Sequence, residues 1–408
     1  MVIPAITDVT MLALCPGKDE CSIAIYLSGF QQAVTGLGSL MLMPVVGNLS
    51  DSYGRKALLT LPMTLSVFPL AILGCGRTKY YFYAYYVLKT LTAMFCEGSV
   101  LCLSLAYVAD NISEGRRASA FGILSGVASA AFVCGTLTAR FLSTPSTFQV
   151  SALVAILATL YMRSFLTDSS SNCNFDSSSS SRLISKDKVP VQSNRCGNDS
   201  CPKLQIGKRI PSVEDMIHLL RTSLTFTQAA IVAFFHNLAE GGLRESLLFY
   251  LKARFHFNKD QFADILLIVG VAGAISQLLL MPILAPNLGE EKLLRIGLLA
   301  GCAHIFLYSI SWASWVPYLA TTFSILAVFS SPCIRSIASK QVGPEEQGKA
   351  QGCISGICSF ANIVSPLVFT PLTGCSVFPS SFVPVRKSTI SFPGFQSYVH
   401  RICNGNNS

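Results

Sequence analysis

Ionisable side chains occur within long apolar stretches of this sequence, where a charge has little water to stabilise it. His236, Glu240 and Arg244 follow one another at intervals of four residues in one such stretch. On an α-helix this spacing places all three side chains on one face. A polar stripe in an apolar helix usually faces an internal cavity, where it binds a polar solute or carries protons. The alternative interpretation is an internal Glu–Arg pair beside a hydrogen-bonded histidine.

Two carboxylates extend this set of candidates for solute or proton binding. Glu97 lies near the middle of an apolar run, and the alternative interpretation is a protonated carboxyl group that hydrogen-bonds within helix packing. Asp8 lies on the first, short apolar stretch and is interpreted as a second cavity-facing carboxylate. Arg163 and Arg335 fall near the ends of apolar runs, where their side chains are expected to snorkel to the membrane surface.

The composition excludes an ordinary soluble protein. Of the 408 residues, 51% are hydrophobic and only 12% are charged, whereas soluble proteins carry about 25% charged residues. The net charge of +9 does not indicate a nucleic-acid partner, because the basic residues lie in short connectors between apolar runs. The sequence contains no Walker A loop, no nucleophile elbow and no zinc-type cysteine spacing. A multi-pass protein of the lipid bilayer is predicted, not an enzyme, with no metal and no cofactor.

Ten apolar runs are long enough to cross a membrane, which requires about 20 mainly apolar residues. They occupy residues 22–46, 57–75, 81–109, 118–142, 147–166, 223–251, 262–285, 293–311, 315–338 and 348–372. Because a spanning segment must satisfy its own backbone hydrogen bonds, these runs predict α-helices. Residues 1–14 are too short to cross and residues 375–408 are polar, so the first helix is expected to be partial and the last to be missing.

The apolar runs form two groups that a polar segment separates. Residues 1–166 are predicted to be an N-terminal transmembrane half, and residues 223–374 a C-terminal transmembrane half. The segment 167–222 is rich first in serine and then in basic residues, which is typical of a disordered linker. Residues 375–408 form an aberrant polar tail. The connectors richest in Lys and Arg alternate along the chain, and the positive-inside rule places them and the linker in the cytoplasm.

The connector after the first full run carries a dense motif, Gly47-Asn-Leu49-Ser-Asp51-Ser-Tyr-Gly54-Arg55-Lys56. Its glycines permit a close helix approach and a sharp turn. Asp51 is expected near a helix N-terminus, where a negative charge is favoured. Arg55 is expected to pair with a carboxylate of a neighbouring helix. The loop resembles the signature of the major facilitator superfamily, Gly-x-Leu-x-Asp-x-x-Gly-Arg-Lys, at every fixed position.

Two further segments resemble the tetracycline–proton antiporter branch of that superfamily, and in particular its eukaryotic hippocampus-abundant-transcript-like members. They are Ala106-Tyr-Val-Ala-Asp110 followed by Arg117, and Gln347-Gly348-Lys-Ala-Gln351-Gly352 followed by Ser365-Pro366-Leu367. The resemblance implies that Asp51, Arg55 and Asp110 form a charge lock between two halves. It also implies that the helix beginning at Gly348 supplies the dipole that Asp51 faces. The remaining gating residues that it implies are Gly47, Gly54, Lys56 and Arg117.

The same resemblance implies a fold and a function. The expected fold is the all-α major facilitator fold, with two pseudo-symmetric six-helix halves and a solute site between them. The expected function is secondary active transport of a small solute by alternating access, driven by a gradient of protons or of another solute. Two alternatives stay open, namely a non-transporting receptor-like or interaction protein, and an incomplete, inactive form.

The sequence also departs from the pattern of this branch. Gly135-Thr136 replaces the Gly-Pro expected in the fifth span, and Met94 occupies the position of an expected arginine. The second-half equivalent of the signature loop lies at residues 282–291. It keeps Leu284 and Gly289 but has neither the Asp nor the Arg of the signature.

Overall fold

The computed structural model describes residues 22–76, 78–96, 98–166, 223–255, 257 and 259–377, together with residues 6, 9, 10, 13, 14, 217 and 219–221. Within these residues all regular structure is helical, as the sequence predicts. Asp8, Glu97, most of the 167–222 segment and the tail after Val377 lie outside the described residues. The predictions made for them therefore rest on sequence alone.

Fourteen α-helices follow one another in the described part of the chain. They are α1 (Ser22–Tyr53), α2 (Arg55–Leu65), α3 (Val67–Cys75), α4 (Lys79–Cys96), α5 (Ser99–Asn111), α6 (Arg117–Phe141), α7 (Thr144–Phe165), α8 (Leu224–Phe255), α9 (Lys259–Ile275), α10 (Met281–Leu288), α11 (Glu290–Ser309), α12 (Val316–Ala327), α13 (Ser330–Ser339) and α14 (Gln347–Val377). Short 3₁₀ turns at Glu114–Arg116 and Pro344–Glu346 precede α6 and α14, and a π-helical turn at Ser276–Leu280 joins α9 to α10. We call α1–α7 the N-terminal half and α8–α14 the C-terminal half.

Nine helical stretches among the described residues are long and apolar enough to cross a membrane. They coincide with nine of the ten predicted runs. The remaining run, residues 223–251, forms a helix as predicted, α8, but this helix is not among the nine. The polar side chains of His236, Asn237 and Glu240 lower its hydropathy, although its 32 residues are long enough to span a bilayer.

The outer surface of the bundle is apolar. Large side chains such as Tyr161, Leu299 and Phe306 are more than half exposed. A soluble monomer rarely exposes so much apolar surface, whereas a bilayer covers it without cost. The protein is therefore a multi-pass integral membrane protein.

Prolines and one glycine divide some of the predicted runs into shorter helices. The carbonyl of Leu65, where α2 ends, would normally bond to the N–H of the residue four positions later, but that residue is Pro69. Likewise, the carbonyl of Val328, just after the end of α12, lacks an N–H partner four positions later because that residue is Pro332. α4 and α5, predicted as one run, meet at Gly98, whose φ of 89° lies in the left-handed region. Local residue type thus accounts for these breaks.

The two halves meet along two sets of helices. α1 packs along α14, and α6 packs along α9, the π-helical turn and α10. An apolar cluster lies at the second contact, where Ala118 of α6 packs with Met281, Ala285 and Cys333 of the C-terminal half. We call the end of the bundle that carries the turns at residues 54 and 289 the inner end.

Candidate functional site

A glycine turn at the inner end sets the position of Arg55. α1 ends at Tyr53 and α2 begins at Arg55, with Gly54 between them at φ 91° and ψ 147°. A side chain would be strained in this backbone conformation, which glycine adopts readily. The turn makes Arg55 the first residue of α2 and buries it, with only 4% of its surface exposed.

The buried guanidinium of Arg55 lies between two carboxylates. Its Nε donates to Asp110 Oδ2 at 2.9 Å, and it also pairs with Asp51 and donates to the hydroxyl of Ser50. Asp110 stands on the last turn of α5, so the pair ties the inner ends of α2 and α5 together. The other oxygen of Asp110, Oδ1, is buried and has no hydrogen-bond partner among the described residues. Arg55 is therefore the main counter-charge for two buried acids.

Asp51 joins the two halves of the protein. Its Oδ1 accepts from the backbone N–H of Gly348 at 2.9 Å, and its Oδ2 accepts from the N–H of Lys349 at 2.8 Å. These are two of the N–H groups that the first turn of α14 leaves without helical partners. A carboxylate at this position also interacts favourably with the positive end of the helix dipole. We call the residues Asp51, Arg55 and Asp110 the inner charge cluster.

Glycines allow the backbones of α1 and α14 to approach closely beside the inner charge cluster. A Cβ added to Gly47 would overlap the carbonyl of Gly348 and lie 3.0 Å from the Cα of Gly352. Ser50 Oγ donates to the carbonyl of Gly47 at 2.6 Å and also receives the bond from Arg55. The motif glycine is thus required by the contact between helices and not by a turn.

Arg117 makes a second bond between the halves. This first residue of α6 is 6% exposed, and its Nη1 donates to the carbonyl of Ser339, the last residue of α13, at 3.2 Å. Its Nε donates to the carbonyl of Ile112 at 3.4 Å. The carbonyl end of a helix carries partial negative charge, so a cation is favourable there. Lys56, the last residue of the signature loop, is half-buried, and no ion pair is recorded for it within the described part of the chain.

Gln347 connects the two places where the halves are bonded. Its Nε2 donates to the same carbonyl of Ser339 at 3.0 Å, and its Oε1 accepts from Ser339 Oγ at 2.5 Å. Gln347 is also the first residue of α14, directly before Gly348. The sequence singled it out only through the family resemblance, without a role.

Glu290 of the second-half loop forms a charge pair with Lys340 at the end of α13, which the sequence did not indicate. Gly289 has φ 79° and ψ 156°, close to the values at Gly54, and Glu290 follows it as the first residue of α11. Glu290 Oε1 lies 3.0 Å from Lys340 Nζ and accepts from Ser336 Oγ at 2.9 Å. The Asp and Arg of the signature do not indicate this pair, because Glu290 carries the opposite charge at the position that matches Arg55.

The polar stripe on α8 lies away from the inner charge cluster. His236 is twelve residues into α8, about 18 Å along the axis from the inner end. His236 and Glu240 are half-buried and close enough for their charges to interact, whereas Arg244 is exposed. No ion pair joins Glu240 to Arg244 in the described structure, so the alternative of an internal Glu–Arg pair finds no support. The neighbouring Asn237 donates to Cys358 Sγ on α14 at 3.2 Å.

Arg335 differs from its sequence prediction. Its guanidinium does not snorkel towards the inner surface but donates to Gln351 Oε1 at 3.2 Å and to Ser355 Oγ at 3.1 Å. Ser355 is eight residues into α14, about 12 Å from the inner end. Because a helical side chain leans towards the N-terminus of its own helix, Arg335 extends towards the membrane centre. Arg163, near the end of α7, is exposed.

Comparison with known proteins places these features in a family. A sequence profile described as Major Facilitator Superfamily matches residues 3–366. The chain is 24% identical over 348 residues to human Hippocampus abundant transcript-like protein 1, covering 84% of this chain and 63% of that protein. It is 22% identical over 345 residues to the class E Tetracycline resistance protein of Escherichia coli, covering 84% of this chain and 77% of that protein. No group of three or more His, Cys, Asp or Glu residues that could hold a metal ion is found among the described residues.

The fold matches a solved transporter structure. The human organic anion transporter MFSD10 (TETRAN) superimposes with a TM-score of 0.69 at 18% identity, over 91% of this chain and 84% of that one. The resemblance to hippocampus-abundant-transcript and tetracycline-resistance proteins, first drawn from motifs, is confirmed. The chain spans 63% of the length of the first of these relatives. With a profile match over most of its length and the matching fold, the chain belongs to the major facilitator superfamily.

Proposed function

We propose that the protein is a secondary active transporter that moves a small organic solute across the membrane by alternating access. The single observation that carries this proposal is the bond between Asp51 and the N-terminus of α14. It is a polar bond between the two halves at one end of the bundle. Because it is bidentate and largely shielded from solvent, it would keep that end closed, and it must break before a solute can leave on that side.

The role proposed for Arg55 and Asp110 follows from the cost of burying charge. A carboxylate at the position of Asp51 is expensive to bury unless a counter-charge and hydrogen bonds compensate it. Arg55 supplies the counter-charge, and Asp110 fixes the guanidinium from the opposite side. The inner charge cluster would therefore act as one lock, which opens or closes as a unit.

The proposed solute site lies deeper in the bundle, on the polar face of α8. His236 and Glu240 are half-buried at a depth where ionisable groups are costly and usually functional. They are proposed to bind the solute or to carry the coupling proton. Arg244, Glu97 and Asp8 remain candidates on sequence grounds. The 167–222 segment is proposed to link the two halves on the cytoplasmic side.

The class of solute is suggested by the relatives. The Escherichia coli relative is named for resistance to tetracycline, and the human structure is that of an organic anion transporter. Both descriptions name organic molecules. We therefore propose a small organic solute.

The proposal can be tested with the purified full chain in proteoliposomes. The probes are radiolabelled tetracycline and a radiolabelled aryl carboxylate, each with and without an imposed proton gradient. We expect uptake of at least one probe above that of empty vesicles, and about a tenfold loss in Asp51→Asn, because an amide presents an N–H where Asp51 accepts a second bond. The control is Asp264→Asn, the same chemical change at an exposed position. Uptake of neither probe, or equal uptake in Asp51→Asn, would count against the proposal.

A further inference from the structure

The two halves carry the same backbone turn at their inner ends, with opposite charges after it. Gly54 and Gly289 have φ of 91° and 79° and ψ of 147° and 156°. The next residue in each case is the first of a helix and is almost completely buried, with 4% of Arg55 and 9% of Glu290 exposed. One turn geometry therefore places a cation in the first half and an anion in the second.

The partners of these two residues also occupy matching positions. Asp110 is on the last turn of α5, and Lys340 is the C-cap residue that directly follows α13. The Nε–Oδ2 distance between Arg55 and Asp110 is 2.9 Å, and the Nζ–Oε1 distance between Lys340 and Glu290 is 3.0 Å. A 3₁₀ turn follows each of the two helices and leads into α6 and α14. The second pair thus reproduces the first with its charges exchanged.

The second pair holds a helix end that receives a bond from the other half. Glu290 binds the final turn of α13 through a hydrogen bond from Ser336 and an ion pair with Lys340. Between these two residues, Ser339 presents its carbonyl to Arg117 of the N-terminal half at 3.2 Å. A cation at a helix C-terminus gains from the helix dipole, as an anion does at an N-terminus. The halves are therefore joined by a cation at the end of α13 and by an anion, Asp51, at the start of α14.

We propose that Glu290 and Lys340 are positioning residues that hold the end of α13 where Arg117 can bind it, and so help to close the inner end. Their part in transport rests on the function proposed above, but their effect on closure does not. The competing explanation is a local ion pair that stabilises the C-terminal half and leaves its contact with the other half unchanged.

A native cysteine reports on closure at this contact. Cys333 of α13 is fully buried in the apolar cluster that includes Ala118 of the other half. In a variant that keeps Cys333 and has its other cysteines replaced, the rate of N-ethylmaleimide labelling measures how often the contact opens. The measurement needs no substrate. A failure to transport any probe would therefore remove the proposed function and leave this test intact.

The decisive comparison is between variants that reverse one charge of the pair and the double variant that exchanges both charges. We expect Glu290→Lys and Lys340→Glu each to raise the labelling rate of Cys333 about fivefold, the effect of losing one partly exposed ion pair. The double variant Glu290→Lys/Lys340→Glu should label as slowly as the parent. Glu291→Lys, the same charge change at the exposed neighbour, should also label slowly. Single variants that label at the parental rate, or a double variant that labels as fast as the singles, would overturn the proposal.

A second comparison tests whether the pair acts through Arg117. Arg117→Gln alone should raise the labelling rate to a similar extent. Adding the milder change Lys340→Gln to Arg117→Gln should then have no further effect, because the end of α13 no longer has a partner in the N-terminal half. An additive increase in the labelling rate would show that the pair acts locally, and it would overturn the proposal even if the charge-reversed single variants fail to accumulate.

Discussion

Gly47 of α1 lies directly against the backbone of Gly348 in α14, so the two halves approach each other closely beside the carboxylate of Asp51. The contact leaves no room for a methyl group, because a Cβ on Gly47 would overlap the Gly348 carbonyl. Close approach of this kind is the common use of glycine between membrane helices. The bond from Asp51 to α14 therefore depends on two residue types, a carboxylate and a glycine four residues before it.

We predict that Gly47→Ala opens the inner end. The added methyl group must push α1 and α14 apart, which lengthens both bonds from Asp51 and lowers uptake in proteoliposomes by about tenfold. Labelling of Cys333, which is buried against Ala118 of the other half, should become faster in a variant that lacks the other cysteines. Gly115→Ala is the matched control, because a Cβ at Gly115 meets nothing within 4 Å. Equal behaviour of the two alanine variants would contradict the prediction.

Removal of Arg55 should be more harmful to folding than removal of the whole pair. In Arg55→Ala the carboxylate of Asp110 stays buried, and neither of its oxygens keeps a recorded side-chain partner. An uncompensated buried charge costs about 3 kcal/mol. The double variant Arg55→Ala/Asp110→Asn removes that charge and should regain part of the lost thermal stability in detergent.

The recovery should not extend to transport, because the double variant still lacks the counter-charge for Asp51. Size-exclusion chromatography after heating measures stability, and probe uptake in vesicles measures transport. Equal thermal stability of the single and double variants would show that Asp110 is not held as a buried charge.

Much of the fold could be predicted from the sequence, because bilayer-length apolar runs and membrane-spanning helices coincide closely. The signature loop also identified residues that lie close together, since Asp51 and Arg55 are neighbours on the chain. The contact of Asp51 with Gly348 is different, because it joins positions 297 residues apart. Only the resemblance to a family suggested it.

Two features of the site could not be predicted for physical reasons. The pair of Glu290 and Lys340 has the same attraction as the pair of Arg55 and Asp110, but its charges are exchanged. The residue types of the signature loop therefore do not predict it. The direction of Arg335 depends on the rotation of α13 about its axis and on the polar groups of α14. Neither can be derived from the spacing of apolar residues.

The polar face of α8 is predicted to line an aqueous cavity. Cysteine at His236 or Glu240, in a background that lacks the native cysteines, should react with a small charged thiol reagent added in water. Phe235 is the matched control on the same helix, because its large exposed side chain is expected to face lipid. Protection of positions 236 and 240 in every condition, with or without probe, would indicate that they are packed between helices.

Arg335 is predicted to matter for transport although the family pattern does not include it. Its guanidinium extends towards the membrane centre and donates to the neutral side chains of Gln351 and Ser355. No carboxylate of the described residues forms an ion pair with it. A charge at this depth costs several kcal/mol and is usually kept for a function. Arg335→Gln should therefore lower probe uptake by tenfold or more, while insertion and thermal stability stay the same or improve.

Two comparisons make this result specific to the guanidinium. Arg335→Lys keeps the charge but replaces the planar group that reaches two acceptors at once, so we expect intermediate uptake. Arg163→Gln removes an exposed arginine at the end of α7 and should leave uptake unchanged. Both glutamine variants remove one positive charge, so a difference between them does not come from the net charge of the protein. If Arg335→Gln and Arg163→Gln transport equally well, Arg335 serves only the packing of α13 on α14.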